Sequence, residues 1–270
     1  MSTTAVDRTT RGRGASFYLL LGASLLFMAF LIAPLAALYL KVPLNALTVL
    51  RCCKLVSSAL KLTILTSVTA TLLALLLGLP VAYVLARFDF RGKNALDAVV
   101  ELPITLPPIV VGVGLLFLLG RQGLLGKPLG LQISFTTAAV VIAQFVVASP
   151  FFIRMMKTGL EAVPRSLENA SLSLGASRWR TFFLVTLPLC KASLIGGLVL
   201  TWARAVGEFG ATLMFAGNFP RVTQTVPLAI YTFVNFDLEA GVILAVIVLT
   251  FYIGVFAAVK WLVKPASILS

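Results

Sequence analysis

Arg204 and Glu208 stand four residues apart inside a long apolar run. On a helix that spacing puts both side chains on one face, where they can pair. Charged groups inside a bilayer cost several kcal/mol unless paired or wetted, and by default they mark a functional site; an ion pair that fixes one helix against a neighbour is the structural alternative. A second unusual stretch, Glu101-Leu-Pro-Ile-Thr-Leu-Pro-Pro-Ile, carries Pro103, Pro107 and Pro108. Each proline removes a backbone donor and clashes with the preceding turn, and the freed carbonyls must find protein or water rather than lipid. This break is either a packing kink or the lining of an aqueous cavity, and Pro80 allows the same two readings. Other chemistry is missing. There is no histidine and no Gly-x-Ser-x-Gly elbow, and the carboxylates near the apolar runs (Asp89, Asp97, Glu101, Glu208) are scattered, which argues against a membrane-embedded hydrolase. Gly92-Lys93 lacks both the upstream glycine and the following Ser or Thr of a phosphate loop, so nucleotide must be bound elsewhere. Adjacent Cys52 and Cys53 and distant Cys190 give neither metal-ligand spacing nor a disulfide framework. The chain alone is expected to bind no cofactor or metal and to catalyse nothing.

The elements that must hold these residues are membrane helices. Of 270 residues, 60% are hydrophobic and 11% charged, against roughly a quarter charged in soluble proteins. Six stretches reach the length of about 20 apolar residues that a span needs: 17–40, 62–86, 95–119, 136–156, 192–216 and 238–260. The expected fold is all-α, an integral membrane protein with six transmembrane helices, and nothing is left over for a soluble catalytic domain. The polar opening with Arg8, Arg11 and Arg13 resembles a secretory signal, but the run from Phe17 to Leu40 is too long for one and reads as a retained first helix. A tail at 1–16, one membrane domain at 17–264 and a short tail at 265–270 follow. The net charge of +13 does not call for a nucleic-acid partner, because the basic residues sit at the edges of apolar segments beside anionic lipid. With the N-terminus in the cytoplasm, fourteen Lys and Arg fall inside and seven outside, Arg204 staying in a span. Both termini are therefore expected to be cytoplasmic.

The longest interior connection runs from Arg154 to Lys191, with a segment at 157–190 that stands apart from the spans. Pro164 followed by Arg165–Leu174 suits a short helix with proline near its start, and Gly175 suits a left-handed cap at its end. Leu167, Ala170 and Leu174 lie at i, i+3 and i+7, giving that helix one apolar face. Such a face needs something to bury it: a partner, or lipid if the segment lies on the membrane as Arg178, Trp179 and Phe182 would allow.

At this segment the chain resembles the permeases of binding-protein-dependent ATP-binding-cassette importers, whose signature is EAA-x3-G-x9-I-x-LP. Here Asn169-Ala170-Ser171, Gly175 and Val185-Thr186-Leu187-Pro188 fall at that spacing. Asn169 stands at the Glu position with Glu168 one residue early, Ser171 replaces the second Ala and Val185 the Ile, so either Glu168 or Asn169 can make the polar contact usually assigned to the Glu. Leu102–Gly112, Arg204–Thr212, Ala216–Pro220 and Thr225–Tyr231 resemble more narrowly the molybdate/tungstate permease subunits and, slightly less, their sulfate/thiosulfate relatives. The resemblance implies a type I importer-like fold in a prokaryotic inner membrane. It also implies a second copy of the chain, two separate ATPase subunits and a periplasmic or extracellular substrate-binding protein. It makes Leu167, Glu168, Asn169, Ala170, Ser171, Leu174, Gly175, Ala176, Arg178, Leu187 and Pro188 an ATPase-coupling segment. Arg204, Glu208, Pro107 and Pro108 become candidates for the pathway or its gate. A self-contained secondary transporter is the rival reading, and it would need no ATPase.

Overall fold

In hydrocarbon only a helix satisfies its own backbone segment by segment, so long apolar runs become long helices. A computed structural model describes residues 15–42 and 46–262. The helices are α1 (Ala15–Leu40), α2 (Ala46–Arg87), α3 (Lys93–Thr105), α4 (Pro108–Leu119), α5 (Thr137–Glu161), α6 (Arg165–Ser173), α7 (Arg178–Thr181), α8 (Leu187–Leu189), α9 (Lys191–Val206), α10 (Gly210–Ala216), α11 (Val226–Phe236) and α12 (Leu238–Leu262), with a π turn at Phe182–Thr186 between α7 and α8. No strand occurs among the described residues. Four helices are long and apolar enough to cross a membrane: Phe17–Leu40, Val56–Arg87, Thr137–Glu161 and Leu238–Val255. Two bent pairs, α3 with α4 and the α7–α8 segment with α9, bring the number to six if each pair is one span. The tail at 1–14, the tail at 265–270 and the side chains of Arg51, Cys52, Cys53 and Lys54 lie outside the described residues. Cys190 is a free, buried thiol.

The span expected at 95–119 is not one rod, because α3 and α4 meet at 112°. Leu106 is extended (φ −76°, ψ 143°), as the residue before a proline prefers, and Pro108 opens α4 where its missing donor costs nothing. Ion pairs from α3 to α5 then tie down the arm: Lys157 to Asp97 at 2.5 Å and Arg154 to Glu101 at 3.5 Å. In the turn ahead of α3, Lys93 donates to Asp89 at 2.9 Å, and this ammonium holds the Asp89 carboxyl below its ordinary value. The span expected at 192–216 also ends early. The helix stops at Val206, and α10 begins only after a break at Gly207–Phe209.

The core is assembled around α5. Its Phe152, Met156 and Leu160 pack with Ala82 and Leu85 of α2, while Ala139, Val140 and Val147 pack with Ala211 and Phe215 of α10 and Leu115 of α4. A third cluster joins α2, α11 and α12 through Ala59, Val226, Ala229 and Leu244. The first helix stays exposed along the body of the single chain, with Tyr39 hydrogen-bonded to Thr250 of α12 at 2.8 Å.

Candidate functional site

The 157–190 segment folds as a hairpin under the end of α2. Pro164 precedes α6, and the helix closes as a Schellman cap: the Ala176 N–H donates to Ser171 O (3.2 Å) and the Gly175 N–H to Leu172 O (3.0 Å). Gly175 has φ +86°, a left-handed conformation that side chains resist, although a Cβ there would meet no neighbouring atom. Backbone conformation rather than space fixes the glycine. Past it, Ser177 caps α7 by accepting from the Arg180 N–H. The chain then widens into the π turn just before Leu187-Pro188, where proline has no N–H to give the preceding turn. Leu187 packs on the inner core and Pro188 is exposed.

Glu168, not Asn169, makes the polar contacts. Its carboxylate pairs with Arg87 at the end of α2 at 2.8 Å, the two side chains being 15% and 7% exposed, and the same oxygen accepts from Thr186 Oγ1 at 2.8 Å. Arg87 also donates to Val163 O (3.2 Å), Arg165 donates to Arg87 O (3.1 Å), and Ser171 and Thr181 share a hydroxyl contact at 3.0 Å. Asn169 is exposed. Arg87, Arg165, Thr181 and Thr186 were not singled out as contacts in the sequence; the one signal for Arg87 was its place directly after the span expected at 62–86.

Successive helical residues turn by about 100°, so Arg165, Glu168, Asn169 and Leu172 share one face of α6 while Leu167, Ala170 and Leu174 share the other. The first face looks onto a cleft against α2 and α7. Among the described residues the second is the open one: Leu167 and Ala170 are exposed and Leu174 is 89% exposed. Arg178 is exposed at the rim of the cleft.

Arg204 and Glu208 do pair, at 2.8 Å with 27% and 1% of their side chains exposed. They do not share a helix middle as expected. Arg204 lies in the last turn of α9 and Glu208 in the break, where its Oε1 accepts the Ala211 N–H at 2.8 Å and so caps α10. The correction follows from that second partner, since a carboxylate that caps α10 needs the helix to stop before it. The break packs on the elbow between α3 and α4. A Cβ on Gly210 would come within 2.9 Å of Ile109 Cγ1, and one on Gly112 within 2.7 Å of the Ala211 backbone, so the small residues here permit close helix approach. Pro108 is half-buried in this contact and Pro107 is exposed beside it. The neighbouring cavity of about 450 Å³, walled by Val206, Phe209, Val226, Tyr231 and Tyr252, is almost wholly apolar.

The stretch after α10 is rich in polar residues, yet Thr223, Gln224 and Thr225 are buried. Gln224 donates to Asn218 (3.0 Å), Asn218 to Thr232 of α11 (2.8 Å), and Thr63 of α2 accepts the Val226 N–H (2.8 Å). These bonds start α11, a helix the sequence had not suggested. Arg221 and Lys127 remain exposed.

Residues 74–266 match the family described as binding-protein-dependent transport system inner membrane component. The molybdenum transport system permease protein ModB of Haemophilus influenzae is 44% identical over 182 residues, 66% of this chain and 80% of the relative. The molybdate/tungstate transport system permease protein WtpB of Thermococcus kodakarensis is 34% identical over 253 residues, 93% of this chain and 97% of the relative. Among solved structures, a bacterial alginate ABC transporter in complex with an alginate pentasaccharide-bound periplasmic protein aligns at TM-score 0.73 and 15% identity, over 94% of this chain and 95% of that one. The inward-facing MetNI methionine ABC transporter aligns at TM-score 0.58 and 19% identity, over 82% of this chain and all of its own. These structures share the type I importer permease fold seen here. With its apolar spans, helical hairpin and membrane break in place, the chain belongs to the family of inner membrane components of binding-protein-dependent transport systems, and is a multi-pass permease subunit rather than an enzyme.

Proposed function

We propose that this chain is the permease subunit of an ATP-driven importer for molybdate and tungstate, working as two copies with two cassette ATPase subunits and an external substrate-binding protein. The observation that carries the reading is the free apolar stripe of Leu167, Ala170 and Leu174 on a short helix bolted to the end of a span by Arg87 and Glu168. An apolar stripe rigidly held outside the spans suits a groove on another protein. The stripe docks on an ATPase, and closure of the ATPase pushes α6, α2 and the hairpin below α9 as one body, the kind of rigid-body motion that alternating access needs. Gly175, Ala176 and Arg178 hold the turn of this hairpin, and Leu187 and Pro188 its return to the membrane. Cargo identity is supported by the relatives named for molybdenum and for molybdate/tungstate transport. Both termini and α6 lie in the cytoplasm, in line with the excess of basic residues on that side.

The pathway runs past the break. A guanidinium left partly open on the flank of a membrane helix is unfavourable against lipid, so the open side of Arg204 faces water and the second copy. Glu208, buried and capping α10, holds Arg204 in place rather than binding an anion it would repel. Pro107 and Pro108 set the elbow on which this gate rests. Uptake of labelled molybdate by cells or vesicles carrying the complete importer tests the cargo. Competition by tungstate and not by sulfate is expected; equal competition by sulfate would assign the chain to sulfate/thiosulfate import instead.

A further inference from the structure

The inner face of α6 borders a cleft of about 630 Å³ whose lining is part apolar and part cationic. Pro80, Tyr83 and Val84 of α2 and Phe183 of the π turn supply apolar wall. Arg87, one turn on from Tyr83 and Val84, lines it together with Arg165 and Arg178. The one carboxylate in the lining, Glu168, is already taken by Arg87. Even so, the Arg87 side chain is 93% buried by its 7% exposure and keeps an Nε without a hydrogen-bond partner. The apolar wall belongs to the span Val56–Arg87, so the cleft opens where that span leaves the bilayer. Trp179 stacks on Phe183 at 6.2 Å beside it, the kind of ring that settles at headgroup depth.

A largely apolar slot that also carries an excess of guanidinium groups at the membrane boundary fits one class of molecule. We propose that the cleft holds an anionic phospholipid from the adjoining leaflet, its phosphate between Arg165 and Arg178 and an acyl chain along Tyr83, Val84 and Phe183. Charge complementarity favours this occupant over a segment of the ATPase. The stripe offered to that subunit lies on the opposite face of α6, and three arginines against one paired glutamate suit an anion with a greasy tail. The lipid fills the space beneath α6 and braces the joint between hairpin and span. This inference needs only the membrane placement of α2 and holds whichever oxyanion is carried.

Native mass spectrometry of the intact importer, titrated with phosphatidylglycerol or with phosphatidylcholine of the same chains, tests it. Phosphatidylglycerol is expected to be retained preferentially, and the Arg165→Gln/Arg178→Gln double variant to lose about tenfold or more of that retention, given the attraction of each basic group to anionic lipid. Arg221→Gln, which removes an exposed cation far along the chain, should leave retention unchanged. Equal retention of both lipids, or retention untouched by the double variant, would overturn the proposal. Should the double variant fail to assemble, a photo-crosslinking residue at Val84 in the otherwise unaltered importer decides: a phospholipid adduct supports the site, and an adduct to the ATPase alone overturns it.

Discussion

Glu168 shows how far a single residue can be read before its partners are known. The spacing of the signature left Glu168 and Asn169 as equal candidates; the choice was made by Arg87, 81 residues earlier, and by Thr186. No local pattern carries that information. Removing one member of a nearly buried ion pair strands the other, at a cost on the order of 3 kcal/mol. Glu168→Ala is therefore expected to lower the thermal stability of the purified importer and to abolish most uptake. Asn169→Ala, at an exposed position, should shift stability by no more than about 0.5 kcal/mol. Equal losses from the two variants would remove the assignment. The Arg204 and Glu208 pair was legible from its spacing, but the second bond to Ala211 was not. Glu208→Gln keeps an acceptor for the α10 cap and loses only the charge, so uptake should fall while ATPase subunits still copurify. Normal uptake by this variant would reduce the pair to helix packing.

At the scale of elements, the sequence marked breaks better than angles. Pro107 and Pro108 announced that helix could not run straight through 95–119, yet the 112° turn is completed by ion pairs to α5 that lie about 60 residues away in sequence. Likewise α11 could not be foreseen from its polar lead-in, because Asn218 and Gln224 bond to one another and to Thr232 of α11, and Thr225 is buried. The end of α6 was legible throughout, since a glycine after an amphipathic turn carries its own conformational signal. Gly175→Val forces a β-branched residue into the left-handed region at a cost of about 1–2 kcal/mol, with no collision to relieve it elsewhere. The expected outcome is ATP hydrolysis that continues in assembled importer while uptake per ATP falls severalfold. Uptake coupled as in the unaltered protein would separate the cap from transmission.

For the whole molecule, apolar length gave the helical class and a number of crossings at the upper end of the four to six that the helices allow, because a bilayer sets the length of any span. It did not say which faces would remain uncovered once the helices packed. Two such regions among the described residues bear directly on transport: the open side of Arg204 at the membrane break, and the stripe on α6. The first calls for a second copy around an aqueous path, the second for a separate protein that supplies work. Everything in the account depends on that second contact. It is tested most directly by a cysteine at Leu174, crosslinked in membranes that hold the full importer. The account predicts an adduct to the ATPase subunit whose yield changes when nucleotide is bound. An adduct confined to phospholipid at this position, in an importer that still takes up its oxyanion, would contradict it.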